Sequence, residues 1–413
     1  MACKHSMILL LLPILLIQCT KKTPFYMEPG YFGYDQAFLQ QHLDDVVLLS
    51  STDSLHQILV SPQLQARVFT STAEGRQGRS FGWINYSLLQ DKSMSPQFNP
   101  YGGEDRFWLG PEGGRYALYF PAGKPQSFEN WLVPAPFDRE PFEVIEQDLV
   151  SLHCRSKFQI TNYAGTPLKV QVDRTLQLLD QPGIEHALGI EIPRGLQWVG
   201  YSSRNVVTNK GENAWTREGG LPSIWILDMF PPSPKAAVII PFRQGDTSEF
   251  GMIVRTNYFG EIPAERLQIH DDYLLFKADG TYRSKIGIPP LRARPVAGSY
   301  DPEHQTLTIV QTADIDAGGV YVNSVWGTDT DPYDGDVINA YNDGPLDDGG
   351  QLGPFFEIES SSPALDLDPD ANYEHLQRTF HFTGDPGTLN QIMQTVLGVT
   401  VLDVEKFLQP QLQ

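Results

Sequence analysis

The chain has 413 residues, with 30 Lys and Arg against 50 Asp and Glu, a formal charge of −20, 41% apolar residues and only 3 Cys. A charge of that sign and size excludes nucleic-acid or anionic-membrane binding through a general basic face. The apolar content excludes a disordered chain, and the cysteine count excludes a disulfide scaffold or a zinc-finger array.

The N-terminus reads as an export signal. Lys4 provides a positive start, and Met7 to Ile17 is an apolar run too short to span a bilayer. Leu16-Ile17-Gln18-Cys19 then resembles a bacterial lipobox, which makes Cys19 the candidate lipidation site. The expected organisation is a signal over 1–19, a tether over 20–34 and one domain over 35–408. The protein is then held in the periplasm or at the cell envelope, and touches membrane only through the lipid anchor.

Gln36 to Asp45 has helical apolar spacing, and Thr388 to Leu397 gives a second short helix near the end. Between them strands dominate. Lys157–Thr161 and Leu168–Val172 alternate with period two around a turn at Ala164-Gly165-Thr166-Pro167. Ile224–Leu227, Ala237–Ile240, Leu307–Val310 and Val320–Val322 read as further strands. With 36 Gly and 32 Pro for turns and no fixed repeat, the pattern predicts a large antiparallel β-sandwich with a few short helices.

Common catalytic signatures are missing: no P-loop, dinucleotide fingerprint, HExxH or CxxC occurs. Gly78-Arg79-Ser80-Phe81-Gly82 matches a nucleophile elbow by letters, but strand-like Trp83–Tyr86 follows where a helix is required. Cys154 lies in a strand-like run and reads as a buried, inert thiol. From Pro295 to Gln377 there is no Lys or Arg and there are seventeen Asp or Glu. The Asp-rich part, Asp329 to Asp348, does not fit the EF-hand spacing; it reads as a solvated loop, with Ca²⁺ as a minor alternative and no other metal or cofactor expected.

Two segments carry most of the chemistry. The Gly-rich run Gly102-Gly103-Glu104-Asp105-Arg106-Phe107-Trp108-Leu109-Gly110-Pro111-Glu112-Gly113-Gly114 offers charged side chains beside a flat indole, a mixture suited to a sugar. Equally, Arg106 could pair with Glu104 or Glu112 to brace the loop, with Trp108 in the core. Near the C-terminus, Phe355-Phe356-Glu357-Ile358-Glu359 puts two carboxylates on one strand face, an arrangement that raises one pKa. Alternatively, that face is solvated.

The C-terminal sequence, Glu357 followed by Pro369-Asp370-Ala371-Asn372-Tyr373-Glu374-His375, resembles the galactose mutarotase (aldose 1-epimerase) pattern. Ser223–Leu227 and Gly335–Pro345, with the Gly-rich run, are similar to an uncharacterised family of exported bacterial proteins in the same superfamily. The resemblance implies a β-supersandwich with a sugar cleft. It implies Glu357 as general base, with Arg106, Trp108, Glu112, Glu104, Asn339, Asp343 and His375 as substrate-binding candidates. The family's histidine acid has no counterpart on the strand Val170–Leu178, which offers Arg174; His186 follows nearby, and both stand as candidates for the acid. Four readings stay open: carbohydrate binding, aldose epimerisation, cleavage of a glycan by Glu112 and Glu357, and a purely structural envelope protein.

Overall fold

A computed structural model describes residues 27–91, 93–312, 315–346 and 349–409. The signal, Cys19, and Asp347 and Asp348 of the acidic loop therefore lie outside the described residues.

Strands β1 (Val47–Ser50), β2 (Gln57–Ser61) and β3 (Arg67–Thr72) form a small sheet of their own. After them come β4 (Arg106–Gly110), β5 (Glu143–Gln147), β6 (Ser151–Thr161), β7 (Pro167–Leu178), β8 (Gln197–Asn209), β9 (Ser223–Phe230) and β10 (Ala237–Pro241). The rest are β11 (Leu267–Ile269), β12 (Tyr273–Lys277), β13 (Ser284–Ile288), β14 (Val296–Asp301), β15 (Thr306–Thr312), β16 (Ile338–Asn342), β17 (Phe356–Ser361) and β18 (Asn372–Thr383). Ten of these pair in the order β11-β12-β10-β14-β15-β18-β8-β7-β6-β5, and five in the order β13-β16-β17-β9-β4. Every ladder within the sheets is antiparallel. The two large sheets pack face to face, the antiparallel sandwich that the sequence predicts.

Alternation decides which residue faces which layer. On the five-stranded sheet, Ile286, Ala340 and Ile358 point inward and meet Val238, Ile240 and Val310 of the larger sheet. The larger sheet turns Leu307, Ile309, Phe380 and Phe382 outward, where helices α6 (Pro386–Leu397) and α7 (Val401–Leu408) cover them with Leu389, Met393, Val404 and Phe407. Both helices are capped by side chains: Asp385 accepts from the Thr388 N–H, and Thr400 and Asp403 form a capping box. Helix α4 (Gln181–Leu188) covers the same face, with Ile184 buried.

The structure corrects several sequence expectations. The first helix, α1, runs from Phe32 to His42 and so begins inside the stretch read as a tether; Phe32 is fully buried and Tyr31 bridges Arg79. Val320–Val322 forms only an isolated bridge, from Tyr321 to Asp334. Trp83–Tyr86 is not a strand, since helix α2 (Tyr86–Asp91) begins at its last residue. Ser80 is buried and donates to Asp35 Oδ2 at 2.5 Å, so it occupies no exposed elbow. Cys154 is buried on β6, and burial pushes its thiol up to about 12.

The sandwich interior also holds charge. Arg174 of β7 is fully buried, ion-paired with Asp105, and donates to Asn205 Oδ1 at 2.7 Å and Ala66 O at 3.1 Å. Arg174 is therefore bound on all sides by the protein between the sheets and is not available to a ligand. Arg174→Ala, which leaves Asp105 buried and unpaired, should lower stability by roughly 3–5 kcal/mol. Replacing both partners with apolar residues (R174M/D105L) should recover most of that loss, as read by thermal unfolding. An Arg174→Ala variant of unchanged stability would contradict this placement.

Candidate functional site

The outer face of the five-stranded sheet is a floor of charged and aromatic side chains. Cross-strand register puts Lys285 opposite Tyr341, Tyr341 opposite Glu357, Glu357 opposite Met229, and Glu359 and Arg106 on either side of Leu227. Because alternate residues share a face, Arg106, Trp108, Trp225, Lys285, Tyr341, Glu357 and Glu359 all stand on this side. Loops bearing Phe98, Phe128, Trp131, Phe259, Trp326 and Phe355 wall it in, enclosing about 500 Å³ of non-atom space including the mouth.

The Gly-rich run adds Glu112 to the wall. Gly102 has φ +98 and lies so close to the Trp83 carbonyl that a Cβ would fall 2.1 Å from its oxygen. Gly113 packs against the Val325 and Trp326 backbone, where a Cβ would approach within 2.6 Å. These two close approaches hold the loop against the cavity.

Arg106 reaches diagonally across β9 to form a buried ion pair with Glu357. It does not pair with Glu104 or Glu112. Its guanidinium also stands 5.1 Å from the centre of the Trp108 ring, while its Nε and Nη1 are buried without a hydrogen-bond partner. Lys285 Nζ donates to Glu359 Oε2 at 2.8 Å, the Trp225 indole N–H donates to the same oxygen at 2.9 Å, and Glu359 Oε1 has no partner. Arg283 lies over Phe259 at 3.9 Å and donates from Nε to the Tyr341 hydroxyl at 3.3 Å; that hydroxyl donates to Asp343 Oδ1 at 2.8 Å. Trp108, partly core and partly cavity wall, donates its Nε1–H to Phe137 O at 3.1 Å.

Four carboxyl groups (Glu112, Asp343, Glu357 and Glu359) thus gather around three cations, Arg106, Arg283 and Lys285. Burial pushes Glu357 up; Arg106 pulls the other way, and Glu359 adds to the rise. Burial likewise raises Glu112, against Lys285 and Arg283, and raises Asp343 against its bond from Tyr341. Lys285 is drawn down by burial but held above its ordinary value by Glu359 and Glu112. An excess of buried carboxylate over cation retains a proton in such a site near neutral pH.

The other sequence candidates lie elsewhere. His375 bonds through Nε2 to Ser360 Oγ at 2.8 Å, and Ser360 points inward while Glu357 and Glu359 point outward; burial lowers the imidazole to about 4. Glu104, also interior, has no hydrogen bond to its carboxylate oxygens and lies 3.5 Å from His381 Nε2. His186 is exposed on α4, on the far face of the larger sheet. Asn339 shares the outer face but is engaged by Ile286 O and Tyr258 OH, and Asp343 stands behind Tyr341. None of the cavity-lining residues is a histidine. The acidic loop is dispersed as well: Asp334 and Asp336 pair with Arg255, and among the described residues no group of three or more His, Cys, Asp or Glu is placed to hold a metal ion.

Sequence reasoning missed Lys285, Arg283, Trp131 and Trp326. The signal for Lys285 is its position inside the apolar alternation Ser284-Lys285-Ile286-Gly287-Ile288, a charge where a strand is otherwise buried. The two tryptophans sit in loops without periodicity and carry no such signal.

An antiparallel sandwich with a walled cavity on the outer face of its smaller sheet is the class that fold and site define. Residues 30–408 match the model described as "Family of unknown function (DUF6786)", and the chain belongs to that family. No curated protein matches it. Among solved structures, the chain is similar to the Slr1438 protein from Synechocystis (14% identity, TM-score 0.48, covering 83% of this chain and 96% of that one). It is also similar to a putative aldose 1-epimerase from Escherichia coli K12 (13%, 0.46, 82% and 98%) and to a galactose mutarotase-like protein from Lactobacillus casei (11%, 0.47, 82% and 100%).

The electrostatics are directly measurable. Carboxyl infrared difference spectra of Glu357→Gln against the parent protein should place the Glu357 titration above the ordinary glutamate range. Glu359→Gln should move that titration down, and Arg106→Met should move it up. A Glu357 that titrates below the ordinary range would contradict this account of the cavity.

Proposed function

We propose that the cavity binds a carbohydrate. The observation that carries this reading is the combination of buried, unpartnered donors (Arg106 Nε and Nη1 and Trp131 Nε1) with flat aromatic walls. Each such donor costs free energy until an acceptor reaches it. A sugar supplies that acceptor through its hydroxyls while laying C–H faces on the rings. Residues 1–19, read as an export signal, support a protein that meets its saccharide at the cell envelope.

A second reading is supported by the raised carboxyl groups: an aldose 1-epimerase-like isomerase. Here Glu357 takes the proton of the anomeric hydroxyl while protonated Glu112 gives one to the ring oxygen. The C1–O5 bond breaks, the aldehyde rotates about C1–C2, and the ring recloses on the other face as both protons return. Glu112 takes the acid role that sequence reasoning assigned to His186 or Arg174, because those two lie outside the cavity and Glu112 lines it.

Titrating a panel of neutral and acidic mono- and oligosaccharides against intrinsic tryptophan fluorescence tests binding, since four tryptophans line the cavity. A saturable change is expected, weakened roughly tenfold or more in Trp131→Ala; no saturable response to any saccharide would reject the reading. Polarimetry of freshly dissolved aldoses tests isomerisation. The relaxation should be accelerated by the parent protein and return to the uncatalysed rate in Glu357→Gln. An unchanged acceleration in that variant would remove Glu357 from the chemistry.

A further inference from the structure

The three cations of the cavity are not equivalent. Arg106 is matched by Glu357 and Lys285 by Glu359, each in a buried ion pair. Arg283 has no carboxylate at ion-pair distance among the described residues; its polar bond is the one from Nε to Tyr341 OH, at 3.3 Å. It is half-buried in the cavity wall, and its plane is fixed by Phe259 at 3.9 Å and Phe128 at 5.9 Å. Glu112 senses its charge but forms no ion pair with it.

Because Nε is occupied, Arg283 presents the Nη1 and Nη2 edge of its guanidinium. That edge matches the two oxygens of a carboxylate, and ring stacking holds it in one orientation before any ligand arrives. Deeper in, the donors Arg106 Nε and Nη1 and Trp131 Nε1 also lack partners, as does one acceptor, Glu359 Oε1. A neutral ligand lying across Arg283 would strip water from a cation and return no counter-charge. An acidic ligand compensates it.

We infer that the saccharide taken by this cavity is acidic, a hexuronate unit whose carboxylate is held by Arg283 while its ring hydroxyls meet Arg106, Glu112 and the indole of Trp131. This rests on the carbohydrate reading above and narrows it to a substrate class. Arg283 is then the specificity-determining residue, and the acid–base pair Glu112 and Glu357 is left facing the ring.

The test is calorimetry of the full chain with glucuronate and galacturonate against glucose and galactose, and with glucosamine as the cationic counterpart. Each uronate should bind roughly ten- to a hundredfold more tightly than its parent hexose, the effect of one charge-assisted contact. Arg283→Met should bring the two affinities together, with the larger change falling on the uronate. Arg283→Lys, which keeps the charge but loses the fork, should fall between, and it serves if the methionine variant fails to fold. Equal affinity for uronate and hexose, a preference that survives Arg283→Met, or tighter binding of glucosamine would each overturn the inference while leaving carbohydrate binding intact. If none of these sugars binds and the wider saccharide panel is silent too, the carbohydrate reading falls with it.

Discussion

The contact between Arg106 and Glu357 joins two strands 251 positions apart in the chain, and the candidate site depends on it. A buried ion pair is a weak stabiliser, because withdrawing two charges from water offsets most of their attraction, and apolar residues of similar size would serve the fold as well. Its consequence here is positional. The pair fixes Arg106 across β9 with one Nη group committed and the remaining nitrogens free, over the face of Trp108. It also fixes Glu357 in a place where burial raises its pKa and an arginine opposes that rise.

The same logic resolves the unequal spread of charge along the chain. The stretch Pro295 to Gln377 has acids and no Lys or Arg, so every ion pair it makes with those residues must draw on distant sequence. Arg106 reaches Glu357, Lys285 reaches Glu359, and Arg255 reaches Asp334 and Asp336. Arg204 meets Glu374 and Lys210 meets Asp370 at the surface, where screening leaves such pairs worth little. Two of the buried pairs link strands of the five-stranded sheet across an intervening strand, and the third ties Arg255 to the segment that leads into β16. A run that looks like a solvated acidic loop is thus partly wall: Asp336 and Asp343 are buried, bonded to Arg255, Tyr258 and Tyr341.

Period-two alternation made the β6–β7 hairpin and β15 legible, short apolar runs marked β9 and β10, and helical spacing marked α1 and α6 to within a few residues. It also put Glu357 and Glu359 on one face. What alternation leaves open is which layer that face meets, because a polar residue buried between two sheets and one buried in a cavity leave the same trace in sequence. Glu104, Arg174 and His375, which the resemblance offers as site candidates, belong to the interior. Asp105 and Arg106 show how little separates the cases: neighbours in the chain, one points between the sheets to Arg174 and the other outward to Glu357. Trp131, Trp326 and Arg283 reach the cavity from loops or a strand end, so only the folded chain assembles them.

The absence of histidine from the cavity wall constrains any chemistry done there. The proton-carrying groups of the wall are Lys285, the Tyr341 hydroxyl and the carboxyl groups, and two of the last are placed differently. Glu357 is held by Arg106, which favours its anion and weakens it as a base; Glu112 makes no ion pair and is raised by burial. A ligand that offers acceptors to the free nitrogens of Arg106 divides the guanidinium's charge between itself and Glu357. The carboxylate then becomes a stronger base when the site is filled than when it is empty. Binding and acid–base chemistry are in that sense one property of the same arginine. A merely receptive cavity and an isomerase would differ only in whether the bound sugar places its anomeric hydroxyl against Glu357 and its ring oxygen against Glu112.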